Sequence, residues 1–134
     1  MIAIIDYGAG NIFSVKNALD YLGVENKLTA DKNEICAADE IILPGVGAFP
    51  WAMKMLRDSG LVDTIREEAR KKPFLGICLG MQLIFDKGYE FEETDGLRLI
   101  GGKVEKIDRK DMIIPHMGWN ELEINRDCPI LKGL

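Results

Sequence analysis

Apolar residues along this chain fall into short runs separated by amphipathic stretches. Met1–Ile5 is a brief Ile-rich run, the pattern of a strand buried on both faces of a parallel sheet. After the turn Tyr7-Gly-Ala-Gly-Asn11, the residues Ile12, Val15, Ala18, Leu19 and Leu22 recur at helical spacing, and Gly23 stands where a helix would stop. Val24–Thr29 alternates weakly and reads as a second strand, and Asp31–Ala38 as a short helix or turn. Glu40–Leu43 is a third strand, broken by Pro44-Gly45. Helices are predicted over Ala48–Leu56 and Leu61–Lys71, the second ended by Pro73. Phe74–Ile77 is the next strand, and Leu79–Phe85 opens the next helix. Repeated strand–helix alternation implies parallel βαβ units: an α/β fold, doubly wound, with a mostly parallel open sheet. Asp86–Asp95 is acidic, lacks a period and reads as a loop. Leu97–Ile107 and Met112–Ile124 contain strand-like runs, expected as antiparallel additions to the sheet. No internal repeat or linker divides residues 1–134.

Composition narrows the classes. A length of 134 residues with 47% apolar content suits one globular domain. The net charge of −5 argues against nucleic-acid binding, which needs a clustered basic surface. Lys71, Lys72 and the stretch Lys103–Lys110 read as solvated charge. No apolar run approaches the roughly 18 residues of a membrane span, and the first residues lack a basic leader, so neither a membrane anchor nor a signal peptide is expected. The cysteines Cys36, Cys78 and Cys128 form no CxxC pair. That argues against a disulfide scaffold or a metal site and for a reducing cytoplasm. His116 is the single histidine.

The chemistry centres on Gly76-Ile-Cys78-Leu-Gly80, which has the form of a nucleophile elbow with Cys in place of Ser. A nucleophile on a tight strand-to-helix turn sits in a strained backbone conformation, and small neighbours let strand and helix approach. The sulfur then stands at a helix N-terminus, where the dipole and free N–H groups favour thiolate. The Leu79 amide is positioned to donate to an oxyanion. The plain alternative is a buried structural cysteine. Pro44-Gly-Val46-Gly47 follows another strand and would emerge on the same carboxyl edge as Cys78. Val46 or Gly47 could offer a second oxyanion N–H there, or the segment could simply be a tight turn. Gly8-Ala-Gly10 resembles the start of a dinucleotide fingerprint, but Phe13 stands where the third glycine belongs, which favours a plain turn. His116, in a loop between Pro115 and Gly118, is the single candidate base, with a packing or interface role as the alternative.

Together these segments resemble a known family. Gly76-Ile-Cys-Leu-Gly-Met-Gln-Leu-Ile-Phe85 is similar to the nucleophile segment of class I (triad) glutamine amidotransferases. Asp6-Tyr-Gly-Ala-Gly-Asn11, Leu43-Pro-Gly-Val-Gly47 and Pro115-His-Met-Gly-Trp-Asn120 narrow the resemblance to the glutaminase subunits of imidazole glycerol phosphate synthases. The resemblance runs in order along the whole chain. It implies hydrolysis of glutamine through a γ-glutamyl thioester on Cys78, with Val46 and Leu79 as oxyanion donors. Gly47, Gln82 and Glu90 would hold the substrate, Glu90 pairing with its α-ammonium group. Ammonia would pass to a (β/α)8-barrel cyclase in histidine biosynthesis, and no cofactor is implied. Asn11 and the loop His116, Met117, Gly118, Trp119 and Asn120 would face that partner, although Trp119 suits a core equally well on composition. The family pattern continues with a His-x-Glu pair that these residues lack, and His116 aligns with the interface loop. The expectation is therefore a partial domain, the amino-terminal two-thirds truncated at the C-terminus. It should turn over glutamine negligibly by itself and self-associate through an uncovered sheet edge. Alternatives are a glutaminase subunit serving surface-sugar biosynthesis, or a catalytically silent partner-docking module.

Overall fold

In the computed structural model, which describes residues 1–111 and 113–132, four short strands form a parallel sheet. They are β1 (Ile2–Ile5), β2 (Asn26–Thr29), β3 (Glu40–Leu43) and β4 (Phe74–Gly76), in the order β2-β1-β3-β4. Helix α1 (Ile12–Tyr21) carries the chain from β1 to β2, and α2 (Lys32–Ala37) from β2 to β3. Helices α3 (Phe49–Asp58) and α4 (Val62–Glu68) make the crossover to β4. The chain leaves β1 towards β2 and then returns to the other side of β1 for β3. That reversal creates a crevice at the carboxyl ends of the strands, where ligands bind in open α/β sheets.

Local chemistry explains the boundaries. Asn11 caps α1, its Oδ1 accepting from the Ser14 amide at 3.4 Å. Asp31 caps α2, accepting from Asn33 at 2.7 Å and Glu34 at 3.4 Å. Gly23 ends α1 with φ +69°, the left-handed conformation expected of a helix stop. Lys72 is not a solvated charge. Its Nζ pairs with Glu68 at 2.8 Å and donates to the carbonyls of Ile35, Cys36 and Ala38 at the end of α2. Lys72 and Lys71 together hold the Glu68 carboxyl down at about 2.

The core lies on one face of the sheet. Ile5, Ile41 and Leu43 meet Phe49, Met53 and Leu56 of α3, Leu61 and Ile65 around α4, and Leu79, Leu83 and Leu97. The opposite face carries the register row Ile4, Ile42 and Leu75. Exposure along that row rises from 0% at Ile4 to 7% at Ile42 and 47% at Leu75. Helix α1 packs on β1 and β2, so cover thins towards β4, which pairs only with β3 among the described residues.

The second half of the chain departs from the expected pattern. Helix α5 (Leu79–Leu83) stops two residues short of Phe85. The stretch read as a loop contains β5 (Phe85–Gly88) and β6 (Thr94–Asp95). With β7 (Ile100–Val104) they form a separate three-stranded sheet instead of extending the parallel one. Only β5 and β6 are antiparallel, and β5 and β7 run parallel. Tertiary docking makes these strands: Gly88 lies on the Phe49 ring so closely that a Cβ there would stand 2.5 Å from Cγ. The strand run expected over Met112–Ile124 does not form. Met112 lies outside the described residues, and 113–124 are irregular and mostly exposed. An apolar pattern by itself does not make a strand; the backbone groups must dock against a sheet edge, and this segment docks on none among the described residues.

Candidate active site

Three connections emerge at the carboxyl edge of the parallel sheet: Asp6–Gly10 after β1, Pro44–Ala48 after β3, and Ile77-Cys78 after β4. Register Leu43↔Gly76 sets the last two side by side, and the Ile77 amide donates to the Leu43 carbonyl at 3.0 Å.

Cys78 has φ +56° and ψ −118°, a conformation that side-chain-bearing residues rarely adopt. The flanking glycines serve the close approach that the sequence suggested. A Cβ on Gly76 would lie 2.6 Å from Met81 Cα, and one on Gly80 would lie 1.9 Å from the Leu43 carbonyl oxygen. The Cys78 carbonyl accepts from the Met81 and Gln82 amides at 3.0 and 3.2 Å. Among the described residues the Leu79 amide donates no hydrogen bond. The helix behind it spans only five residues, so the expected macrodipole contribution is small and local N–H groups remain the source of positive potential.

The Pro44–Gly47 turn rests against this elbow. A Cβ on Gly45 would meet the Gly80 amide nitrogen at 2.8 Å and the Tyr7 Oη at 2.9 Å. Gly47 has φ +102°, which favours glycine. Tyr7, buried, donates from its hydroxyl to the Pro44 carbonyl at 3.0 Å, and burial pushes its ionisation up to about 12. On the other side of the turn, the Phe49 amide donates to Glu90 Oε2 at 2.9 Å.

Cys78, Leu79, Gln82, Gly47 and Glu90 line one cavity of about 630 Å³, together with residues 104–107, Ile114 and Pro115. Five of the sequence-predicted site residues are thus brought together. Val46 is half exposed and its side chain does not line the cavity. Asn11 is occupied in capping α1. His116 lies off the cavity, with its Nε2 2.7 Å from the Asn120 Nδ2. Met117 and Trp119 are fully exposed beside it, so the core alternative for Trp119 does not hold. Tyr7 escaped the sequence reading. Its place in the first turn was visible, but its contact with the turn after β3 depends on the crossover. Gly10 belongs to the same packing: a Cβ there would lie 3.4 Å from the Gly45 nitrogen, whereas one on Gly8 would meet the Met55 side chain at 2.5 Å.

A larger groove of about 980 Å³, lined by Trp51, Lys54, Arg57, Lys87 and Arg98 among others, contains no cysteine. Its lysines and Arg98 pair with Asp58, Glu93 and Asp95. The smaller cavity is the one that Cys78 lines. Among the described residues no cluster of His, Cys, Asp and Glu could hold a metal. No described helix is long and apolar enough to cross a membrane.

A cysteine elbow on a doubly wound sheet, facing a glycine turn, places an exposed thiol beside backbone amides at the carboxyl edge of the strands. The model of the class-I glutamine amidotransferase family matches residues 3–134, and the chain belongs to that family. Among curated proteins it is similar to the imidazole glycerol phosphate synthase subunit HisH of Listeria monocytogenes serotype 4a (strain HCC23), with 51% identity over 136 residues. The same subunit of Bacillus cereus (strain G9842) is 52% identical over 135 residues, and that of Caldanaerobacter subterraneus subsp. tengcongensis 50% over 135. Each alignment takes in 100% of this chain but only 65%, 64% and 66% of the relative, so the chain spans about two-thirds of their length. Among solved structures, a glutamine amidotransferase crystal structure superposes with TM-score 0.66 at 24% identity, over 82% of this chain and 60% of that one. A putative peptidase E from Listeria monocytogenes EGD-e superposes with TM-score 0.56 at 20% identity, over 74% and 62%. These two likenesses establish the fold.

Proposed function

We propose that the chain is the nucleophile-bearing part of a glutaminase subunit of imidazole glycerol phosphate synthase. The carrying observation is Cys78 at φ +56° on the same cavity as Gly47, Leu79, Gln82 and Glu90. In this reading the Cys78 thiolate attacks the glutamine side-chain carbonyl, and the oxyanion is met by the Leu79 and Val46 amides. The C–N bond then breaks, the departing nitrogen takes a proton from water and leaves as ammonia, and a γ-glutamyl thioester remains. Water hydrolyses it to glutamate and the free thiol. Glu90 has one carboxylate oxygen on the Phe49 amide, which leaves the other for the substrate's α-ammonium group. Gln82 and Gly47 line the same space.

The names of the relatives support a synthase partner. We assign Asn11 and the exposed loop His116–Asn120 to a (β/α)8-barrel cyclase, as a heterodimer that passes ammonia into histidine biosynthesis. Three free cysteines fit a reducing cytoplasm. Hydrolysis of the thioester needs a base for water, and no histidine lines the cavity among the described residues. These residues by themselves should therefore acylate or alkylate at Cys78 and turn over negligibly.

The test uses 6-diazo-5-oxo-L-norleucine, a glutamine analogue that alkylates thiols with loss of nitrogen. One equivalent should add at Cys78, with glutamine protecting, while Cys36 and Cys128 stay free. Equal labelling of all three cysteines, or none, refutes the glutaminase reading. No labelling together with tight binding of a barrel cyclase would instead favour a silent docking module.

A further inference from the structure

The Pro44–Gly47 turn cannot hold its own shape. It contains two glycines, one at φ +102°, and its first residue has no amide hydrogen. Its orientation must come from outside. Two side chains grip it: the Tyr7 hydroxyl donates to the Pro44 carbonyl at 3.0 Å, and Glu90 accepts from the Phe49 amide at 2.9 Å just beyond it. Glu90 also faces the cavity, whereas Tyr7 does not line it. Tyr7 is buried against the core, 4% exposed, with its oxygen the single polar atom of its ring.

We propose that Tyr7 is a positioning residue: its hydroxyl fixes the Pro44 carbonyl and so aims the Val46 and Gly47 amides at the carbonyl that Cys78 attacks. The inference rests on the glutaminase reading for its catalytic consequence, but its structural half stands independently. A ring that merely fills the core would be replaced by phenylalanine without loss, because the ring volume is kept. A hydroxyl that positions the turn would not, because a buried carbonyl loses its partner. The Tyr7 hydroxyl ionises only near 12, so it remains a donor throughout the neutral range.

The experiment compares Tyr7→Phe with the unaltered chain using two thiol reagents. The diazoketone carries its ketone where the substrate carbonyl sits, so its reaction draws on the oxyanion donors. Iodoacetamide reports only on the thiol. Tyr7→Phe should slow diazoketone labelling of Cys78 roughly tenfold, with its half-saturating concentration unchanged, and leave the iodoacetamide rate within about twofold. Placing p-aminophenylalanine at position 7, which restores a donor, should recover most of the rate. An unchanged diazoketone rate, or equal slowing of both reagents, overturns the proposal. Should the unaltered chain take up no diazoketone, the glutaminase reading fails and the positioning claim is read from amide ¹⁵N order parameters. Those of Val46 and Gly47 should fall in Tyr7→Phe while those of β3 stay constant. Constant values at Val46 and Gly47 refute the claim, and the same spectra show whether the variant is folded.

Discussion

Gly80→Ala tests how tightly the elbow is built. In an ordinary helix this change would stabilise by about 1 kcal/mol, because glycine is a poor helix former. Here the new Cβ would stand 1.9 Å from the Leu43 carbonyl oxygen and 2.8 Å from its carbon. Both are backbone atoms of a central strand, so neither can rotate away. Overpacking of this kind costs typically about 1–3 kcal/mol and occasionally more. The same carbonyl accepts the Ile77 amide at 3.0 Å, and displacing it weakens a bond worth about 1 kcal/mol. Setting the helix gain against these losses leaves a net destabilisation of about 1–3 kcal/mol. Urea unfolding measures it directly: with a slope of about 1.5 kcal/mol/M, the midpoint should fall by roughly 0.7–2 M. Two glycines serve as controls, since an added Cβ meets nothing within 4 Å at Gly118 or Gly23. Gly118→Ala should be silent, and Gly23→Ala should cost only the left-handed penalty of about 1–2 kcal/mol at φ +69°. A Gly80→Ala midpoint within roughly 0.3 M of the unaltered chain would refute the close-approach reasoning.

Cys78→Gly should raise stability by about 1–2 kcal/mol in the same assay while abolishing diazoketone labelling, because φ +56° with ψ −118° is strained for cysteine and open to glycine. A destabilised glycine variant would mean that the elbow stores no strain. For Glu68→Gln the expectation is a pH window. Lys72 first and Lys71 second hold the folded carboxyl at about 2, below its ordinary 4.5, so their contribution is complete above pH 4.5 and lost as pH falls towards 2. The midpoint gap between the two chains should be constant from pH 5 to 8 and shrink steadily below 4.5; a gap that widens on acidification contradicts the pairing. Leu75 in β4, an outer strand of the parallel sheet, and Ile77 just after it are exposed and should drive self-association visible in light scattering. Leu75→Lys should shift the sample towards monomer, and a monomeric unaltered chain at the same concentration would count against that edge as the adhesive surface.

Legibility in the sequence followed the origin of each element's stability. The strands β1 and β3 were visible because burial on both faces leaves unbroken apolar runs, and β4 because Pro73 and Gly76 bound its short apolar run although Leu75 is half exposed. The strands β5 and β6 were not, because Phe-Asp-Lys-Gly and Thr-Asp carry no period; Gly88 against Phe49 makes that sheet. Over 113–124 the difference runs the other way, since apolar residues such as Ile113 and Leu122 suggest strands, yet the segment pairs with no strand among the described residues and remains exposed. The nucleophile was legible because the glycines that permit its turn are adjacent to it in sequence. Tyr7 and Lys72 were not, because each acts on a carbonyl more than thirty residues away: Pro44 for Tyr7, Ala38 and its neighbours for Lys72.

The geometry of the cavity also separates two kinds of residue that mutation will report differently. Sheet register sets Leu43 beside Gly76, and this alone places the Pro44–Gly47 turn next to Cys78. Gly45, Gly76 and Gly80 maintain that approach through backbone contacts shorter than any side chain permits. Substituting them therefore moves strand, helix and nucleophile together, and any loss of thiol chemistry there will come with a loss of stability. The Tyr7 hydroxyl and the Glu90 carboxylate reach the turn from outside through single hydrogen bonds. Removing one of those bonds leaves the backbone approach in place, so the orientation of the turn can be altered while the fold persists. Thiol chemistry that falls without a matching fall in stability is thus the signature of these two positions, and the glycines cannot produce it.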